Sequence, residues 1–172
     1  MSGFIVAKIN KKIDKWELNY SILRSCLLKP LAPGSGYKPD VAVLDRELIK
    51  EEPLWPKASV IQNGKTVPLV IEVVSTNSRD DYGHKLVEYE TMGIAEYWIV
   101  DYRALGAVRY IGKPKQPTIT VCQLMEGEYQ MQRFIAGQPV QSVRCTRLQK
   151  NFPKARLWGI QSGKLRVREM VI

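Results

Sequence analysis

The amino-acid sequence predicts an α/β domain in which a mixed central β-sheet is flanked by helices. The first observation is the run VPLVIEVVS, Val67–Ser75, whose β-branched residues indicate a central strand covered on both faces. The second is SRDD at 78–81, which is typical of a helix start with acidic residues in its first turn. Strand patterns on both sides of this pair indicate a mixed sheet with helical cover. A chain of 172 residues is the size of one domain, so we predict a single domain over 1–172.

The elements before the central strand are less regular. Residues 1–30 have a mixed pattern, in which four large apolar residues fall on one helical stripe. The stripe consists of Trp16, Tyr20, Leu23 and Leu27. After a loop rich in Pro and Gly, the run PDVAVLD, Pro39–Asp45, predicts a strand with a proline at its entry. The polar stretch 46–66 predicts a short helical turn and an Asn63-Gly64 turn.

The elements after the central strand follow in a more regular order. The helix that starts at Ser78 carries an apolar stripe of Tyr82, Leu86 and Tyr89, and Gly93 predicts its C-terminal end. Four strands are then predicted, at 95–102, 107–111, 118–124 and 129–135. A turn at 126–128 is expected to join the last two.

Composition excludes membrane and secreted classes of protein. Hydrophobic residues make up 45% of the chain and charged residues 25%, which is ordinary for a globular protein. No apolar run approaches membrane-spanning length, and the N-terminus lacks the apolar region of a signal peptide. We therefore expect a soluble, cytoplasmic protein with no membrane partner.

Cysteine and histidine are too few for the common zinc sites. Cys26, Cys122 and Cys145 are widely spaced without a CxxC pair, and His84 is the only histidine. This pattern excludes zinc ribbons and fingers, and it argues against a disulfide framework. Any metal would have to be held by oxygen ligands, which favours Mg²⁺ or Mn²⁺.

The charge of the chain is strongly positive and unevenly distributed. The formal net charge is +9, which favours a polyanionic partner, nucleic acid first and an anionic membrane second. Charge alone is equally compatible with a role in solubility only. Most of the excess lies in a C-terminal segment, 144–172, with eight basic residues against one acid, Glu169. The eight are Arg144, Arg147, Lys150, Lys154, Arg156, Lys164, Arg166 and Arg168.

Glu72 is the residue that most needs a physical explanation. Side chains alternate along a strand, so Glu72 shares one face with Val70 and Val74. An ionised carboxylate among valines on a central strand is costly unless a charge or a metal meets it. A neighbouring Lys or Arg that neutralises Glu72 structurally, or an edge position facing water, would explain it equally well.

Asp40 provides a second carboxylate at the start of the preceding strand. Strand ends are where open sheets place their functional sites, although an Asp at a strand entry is common in any protein. The segment between Asp40 and Glu72 is long enough for the two strands to pair side by side. Both carboxylates could then bind one divalent cation, with a backbone carbonyl near Val73 as a third ligand. Such an ion activates a water for attack on a phosphodiester bond.

Four motifs occur in order along the chain. They are PD at Pro39-Asp40, EV-x-S at Glu72–Ser75, D-x₃-K-x₃-Y at Asp81, Lys85 and Tyr89, and YWIVD at Tyr97–Asp101. In combination, over about 39–135, they resemble the PD-(D/E)xK nuclease superfamily and, more narrowly, the bacterial Uma-two family of restriction endonucleases. The resemblance implies a restriction-endonuclease-like core and metal-dependent cleavage of DNA. The basic segment 144–172 does not resemble the family.

Lys85 is the third residue of the site that the resemblance implies. The lysine of the superfamily lies two residues beyond the glutamate, where this chain has Val74. In the Uma-two pattern the lysine is on the following helix, and Lys85 matches that position. A long side chain there can reach back to the strand while its stem stays buried. A solvated helix residue that pairs with Asp81 or Glu88 is the simpler interpretation of Lys85.

Two functions from different classes follow from these residues. The first is a nuclease in which Asp40 and Glu72 bind Mg²⁺ or Mn²⁺ and Lys85 orients the attacking water. The second is a nucleic-acid-binding or accessory protein that has kept the fold without turnover. The resemblance also implies a homodimer, since restriction-type nucleases often use two copies to cut both strands.

Overall fold

A computed structural model describes residues 1–30, 34, 36–75, 78–135 and 138–140, together with the backbone of 165–166. Strands β1–β8 are Tyr20–Leu23, Leu27–Leu28, Val41–Asp45, Val60–Ile61, Leu69–Val73, Glu96–Asp101, Thr118–Met125 and Glu128–Ile135. Two short strands, β9 (Pro139–Val140) and β10 (Leu165–Arg166), pair with each other. Helices α1–α5 are Ser2–Lys15, Trp55–Ala58, Ser78–Tyr82, His84–Thr91 and Val108–Ile111, and 3-10 helices span Leu48–Glu51 and Gly64–Thr66.

Six of the strands form one mixed sheet in the order β1-β3-β5-β6-β7-β8. Strand β3 runs antiparallel to both β1 and β5, β5 runs parallel to β6, and β7 and β8 continue antiparallel. Strand β5 lies inside the sheet, and four of its five residues are buried. The predicted α/β class and the predicted central strand are therefore confirmed.

The two faces of the sheet are covered by different elements because side chains alternate along each strand. On one face, Ile71 and Trp98 pack with Ile5 and Ile13 of α1. On the other face, Val70 and Val74 pack with Tyr82 at the end of α3 and Tyr89 of α4. Glu72 shares this second face with Val70 and Val74, as the alternation predicts.

The residues of the helical stripe, 16–27, do not form a helix. The N-terminal helix is α1, and it ends before this stripe begins, with Glu17 in a left-handed conformation (φ 48°). Tyr20 and Leu23 lie in β1 and Leu27 lies in β2. Pairing of β1 with β3 and of β2 with β4 satisfies the backbone of these residues, and these long-range contacts outweigh their helical spacing.

One further local prediction is wrong and another is refined. The predicted strand 107–111 is helix α5, because Asp101 accepts hydrogen bonds from the amides of Leu105 and Gly106 and turns the chain out of the sheet. The predicted Asn63-Gly64 turn is present as the start of a 3-10 helix, with the Asn63 side chain accepting from the Lys65 amide. Short apolar runs and Asn-Gly pairs are compatible with either outcome until their neighbours are known.

Several predictions concern residues beyond the described ranges. The basic segment 144–172 and Cys145 lie outside them, apart from the backbone of 165–166. Cys26 and Cys122 are free and buried, and burial raises the pKa values of their thiols to about 11 and about 12. Within the described part of the chain, no helix is both long and apolar enough to cross a membrane.

Gly64 is required by a close approach of two backbones, which gives a stability test. A Cβ at Gly64 would lie 2.1 Å from the carbonyl oxygen of Met92, just beyond the end of α4. Because backbone cannot rotate away as a side chain can, Gly64→Ala is expected to lower the free energy of unfolding by about 1–3 kcal/mol or more. Gly3→Ala is the control, since Gly3 has nothing within 4 Å and lies in α1. Urea denaturation showing equal stability for the two variants would contradict the close approach.

Candidate active site

Asp40 and Glu72 lie side by side at one end of the β3–β5 pair. Val41 is opposite Ile71 in the antiparallel register, so the residue before Val41 and the residue after Ile71 are neighbours. The Asp40 amide donates to Glu72 Oε2 at 3.4 Å, and the Val73 amide donates to Asp40 Oδ2 at 2.8 Å. The predicted pairing of the two strands thus brings both carboxylates together.

Glu72 is almost completely buried, with 3% of its surface exposed. Its Oε1 accepts a hydrogen bond from the Tyr89 hydroxyl at 2.8 Å and lies 3.2 Å from Lys85 Nζ. The charge that meets Glu72 therefore comes from the following helix, as the resemblance implied. This contact is also the structural neutralisation that the sequence left open.

Lys85 contacts two carboxylates at once. Its Nζ donates to Asp81 Oδ1 at 2.8 Å, one helical turn earlier in sequence, and reaches Glu72 from the same position. Lys85 therefore pairs with Asp81, four residues earlier, and also reaches the strand, and its catalytic role stays a prediction. The Lys85 side chain keeps 21% of its surface exposed, so it is partly accessible from solvent.

The electrostatics of the cluster follow from burial and from the number of charges. The pKa of Glu72 is raised, chiefly by burial and further by the nearby Asp40. The contacts with Lys85 and Tyr89 act in the opposite direction and lower this pKa. Burial likewise raises the pKa of Asp81, against the effect of Lys85. Burial lowers the pKa of Lys85, but the pairs with Asp81 and Glu72 outweigh it and the net pKa is raised. One ammonium group therefore pairs with the two carboxyl groups of Glu72 and Asp81, and the carboxyl group of Asp40 lies beside them.

The donor chemistry of this cluster fits a hard divalent cation. Mg²⁺ typically binds through one or two carboxylates and keeps several waters. Asp40 and Glu72 supply two such carboxylates, and a carbonyl near Val73 stays a prediction as the third ligand. Among the residues that the structure describes, no group of three or more His, Cys, Asp or Glu side chains is placed to hold a metal. Water would have to complete the coordination, which suits Mg²⁺ or Mn²⁺ and not a structural zinc ion.

Sequence reasoning missed the contribution of Tyr89 and underestimated that of Asp81. Both residues were noted in the family motif and Asp81 also as a possible partner of Lys85, but neither was assigned to the site. The spacing that could have identified them is D-x₃-K-x₃-Y, which places residues four apart on one helical face. Asp81 and Lys85 are in contact although a break at Gly83 separates α3 from α4.

The fold and the cluster together define a restriction-endonuclease-like α/β protein. The chain belongs to the Uma2 family, whose model, described as "Putative restriction endonuclease", matches residues 2–151. This confirms the resemblance and extends it well beyond 39–135. The earlier start is explained by β1 and α1, because β1 pairs with β3 and α1 covers one face of the sheet.

A solved structure supports the same fold. It is described as a crystal structure of "a putative nuclease belonging to DUF820 from Anabaena variabilis". The two chains are 14% identical and superpose with a TM-score of 0.61 over 98% of this chain and 76% of the other. No curated protein matches the chain. At this identity the similarity establishes the fold only and says nothing about the chemistry of the site.

The charge balance of the cluster predicts a large effect of losing the ammonium group. Lys85→Met would leave Glu72 and Asp81 buried beside Asp40 without a positive partner, so we expect the free energy of unfolding to fall by about 2–4 kcal/mol. Adding Glu72→Gln to this variant should restore part of the loss, because one negative charge is then removed.

The matched control is Lys50→Met. Lys50 pairs with Glu47 at 2.7 Å, but both side chains are about two-thirds exposed (67% and 64%). Exposed pairs contribute little, so chemical denaturation should show no measurable change. Equal losses in the Lys50 and Lys85 variants would contradict the role assigned to the buried cluster.

Proposed function

We propose that this protein is a divalent-metal-dependent nuclease that hydrolyses phosphodiester bonds of DNA. The observation that carries the proposal is the convergence of Asp40, Glu72 and Lys85, which come from a strand entry, a central strand and a helix. Burying several carboxyl groups around one ammonium group costs stability, and such a cost is typical of functional sites.

Asp40 and Glu72 would hold the metal ion, Mg²⁺ or Mn²⁺. When bound, the ion would lower the pKa of a water molecule and stabilise negative charge on the leaving oxygen. The Val73 amide holds Asp40 Oδ2, and Tyr89 with Lys85 holds Glu72 Oε1. The two side chains are thus oriented by the protein itself, as pre-organised catalytic groups must be.

Lys85 would orient the attacking water and stabilise the charge that develops on the phosphorus oxygens. An ammonium group has three N–H donors, and the Lys85 ammonium contacts two acceptors, Asp81 and Glu72. The raised pKa of Lys85 favours the charged form at neutral pH, which suits electrostatic stabilisation and not proton abstraction.

DNA is the proposed substrate because the net charge is +9 and most of the excess lies in 144–172. Lysine and arginine bind the phosphate backbone without regard to sequence, and release counterions as they do so. We place this activity in the cytoplasm, and we propose a homodimer as the form that would cut both strands.

A second candidate is a nucleic-acid-binding or accessory protein without turnover. The observation that favours it is that the basic segment 144–172 and the motifs that carry the carboxylates lie in different parts of the chain. Binding of DNA and cleavage of DNA would then depend on different residues. Such a protein would bind DNA with a steep dependence on salt and would leave it intact.

Cleavage of supercoiled plasmid in Mg²⁺ or Mn²⁺ tests the proposal. We expect nicked and linear products from the wild-type chain, and at least about a 10²-fold lower rate for Asp40→Asn, Glu72→Gln and Lys85→Met, since each removes a group with a direct role. Chelation of the metal should stop the reaction.

Asp45→Asn is the matched control for the carboxylates. Asp45 lies at the other end of β3, where its side chain accepts from the amides of Glu47 and Leu48, and asparagine can do the same. Its rate should equal that of wild type. Cleavage that survives Glu72→Gln would come from a contaminant, and salt-sensitive binding without any cleavage would favour the second candidate.

A further inference from the structure

The two oxygens of the Glu72 carboxylate have unequal surroundings. Oε1 receives the Tyr89 hydroxyl at 2.8 Å and lies 3.2 Å from Lys85 Nζ. In the described part of the chain, the donor on Oε2 is the Asp40 amide, at the longer distance of 3.4 Å. Oε2 is therefore the oxygen that faces Asp40 and keeps lone pairs for a further ligand.

Tyr89 is positioned by the protein independently of Glu72. It is fully buried, and its ring makes edge contacts with Tyr37 (centroids 5.8 Å apart) and Tyr97 (5.0 Å). Tyr97 in turn donates its hydroxyl to the backbone carbonyl of Asp81 at 2.9 Å. The aromatic contacts and this tether fix the ring relative to the sheet, so the hydroxyl has one place to donate.

Lys85 alone could not hold the carboxylate in the same way. Its ammonium is shared with Asp81, at the shorter distance of 2.8 Å, and one-fifth of its side chain is exposed (21%). The terminal torsion of a glutamate is broad and has no strong preference of its own. A second donor on Oε1 removes that rotation. Burial, with the neighbouring Glu72, raises the pKa of Tyr89 well above its usual range, so the hydroxyl remains a donor.

We propose that Tyr89 is a positioning residue that fixes the Glu72 carboxylate by its Oε1 and so presents Oε2, beside Asp40, to the divalent cation. The proposal rests on the metal-dependent function proposed above and assigns a role that a helix residue of an apolar stripe would not have. Groups that orient a metal ligand through a hydrogen bond typically change metal affinity by about 10–100-fold when removed.

The test is the affinity of the full chain for Mn²⁺, measured by calorimetry and by the electron paramagnetic resonance signal of free Mn²⁺. Tyr89→Phe keeps the ring and removes only the hydroxyl, and we expect the dissociation constant to rise by about 10-fold or more. Because Tyr89 does not touch the reacting atoms, plasmid cleavage by this variant should recover to within a few-fold of wild type at saturating Mn²⁺.

Tyr129→Phe is the matched control for the loss of a buried hydroxyl. Tyr129 belongs to the same apolar cluster, and its hydroxyl donates to the backbone carbonyl of Ile94 at 2.8 Å. The two variants should lose melting temperature to a similar extent. Only Tyr89→Phe should weaken Mn²⁺ binding, whereas Tyr129→Phe should stay within about twofold of wild type. A merely structural role of Tyr89 would make the two variants alike in both measurements.

The outcomes separate the two proposals. A wild-type chain that binds no Mn²⁺ would overturn the proposed metal-dependent function. Binding that is lost in Glu72→Gln but unchanged in Tyr89→Phe would leave that function standing and overturn the role of Tyr89. A weaker affinity in Tyr89→Phe that additional Mn²⁺ overcomes supports both.

Discussion

The site depends on one interaction, the contact between the Lys85 ammonium and a carboxylate on the central strand. Glu72 is buried on a sheet face whose neighbours Val70 and Val74 belong to the apolar core, and without a positive partner its charge would be costly to bury. The ammonium can reach it only if the helix following β5 folds back over the same face of the sheet. The α3–α4 segment contacts the rest of the fold at two places: the Tyr97 hydroxyl donates to the Asp81 carbonyl in α3, and Gly64 approaches the backbone of Met92 just after α4.

Buried carboxylates in this protein are of two kinds. Glu52 is satisfied by the amides of Gln62 and Asn63 and by the hydroxyl of Thr66, and Asp101 is satisfied by amides of its own turn. These acids order loops, and their oxygens are used for that purpose. Glu72 depends on a shared ammonium and a tyrosine hydroxyl, and it keeps one oxygen turned toward Asp40. This difference, and not burial as such, distinguishes the candidate active site.

The errors of sequence reasoning come from contacts that the spacing of residues does not reveal. The stripe of 16–27 has helical spacing, but pairing with β3 makes its middle a strand. The run 107–111 has strand-like residues, but the turn around Asp101 diverts it into a short helix. Tyr89 was placed on the correct face of its helix, although its hydroxyl bond to Glu72 depends on how that helix lies on the sheet. The stripe of 16–27 and the hydroxyl of Tyr89 were decided by partners elsewhere in the chain, and the run 107–111 by a side chain only a few residues earlier.

The sequence by itself determined the α/β class, the central strand with its buried glutamate and the motifs of the Uma2 family, because alternation, β-branched runs and spacing are local properties of the chain. Only the tertiary structure decided that Asp40, Glu72 and Lys85 meet, that Asp81 shares the ammonium, and that the two oxygens of Glu72 differ. The physical reason is that strand register and helix packing set distances of a few ångströms between residues far apart in sequence. Hydrogen bonding and charge compensation respond to those distances and not to the order of residues.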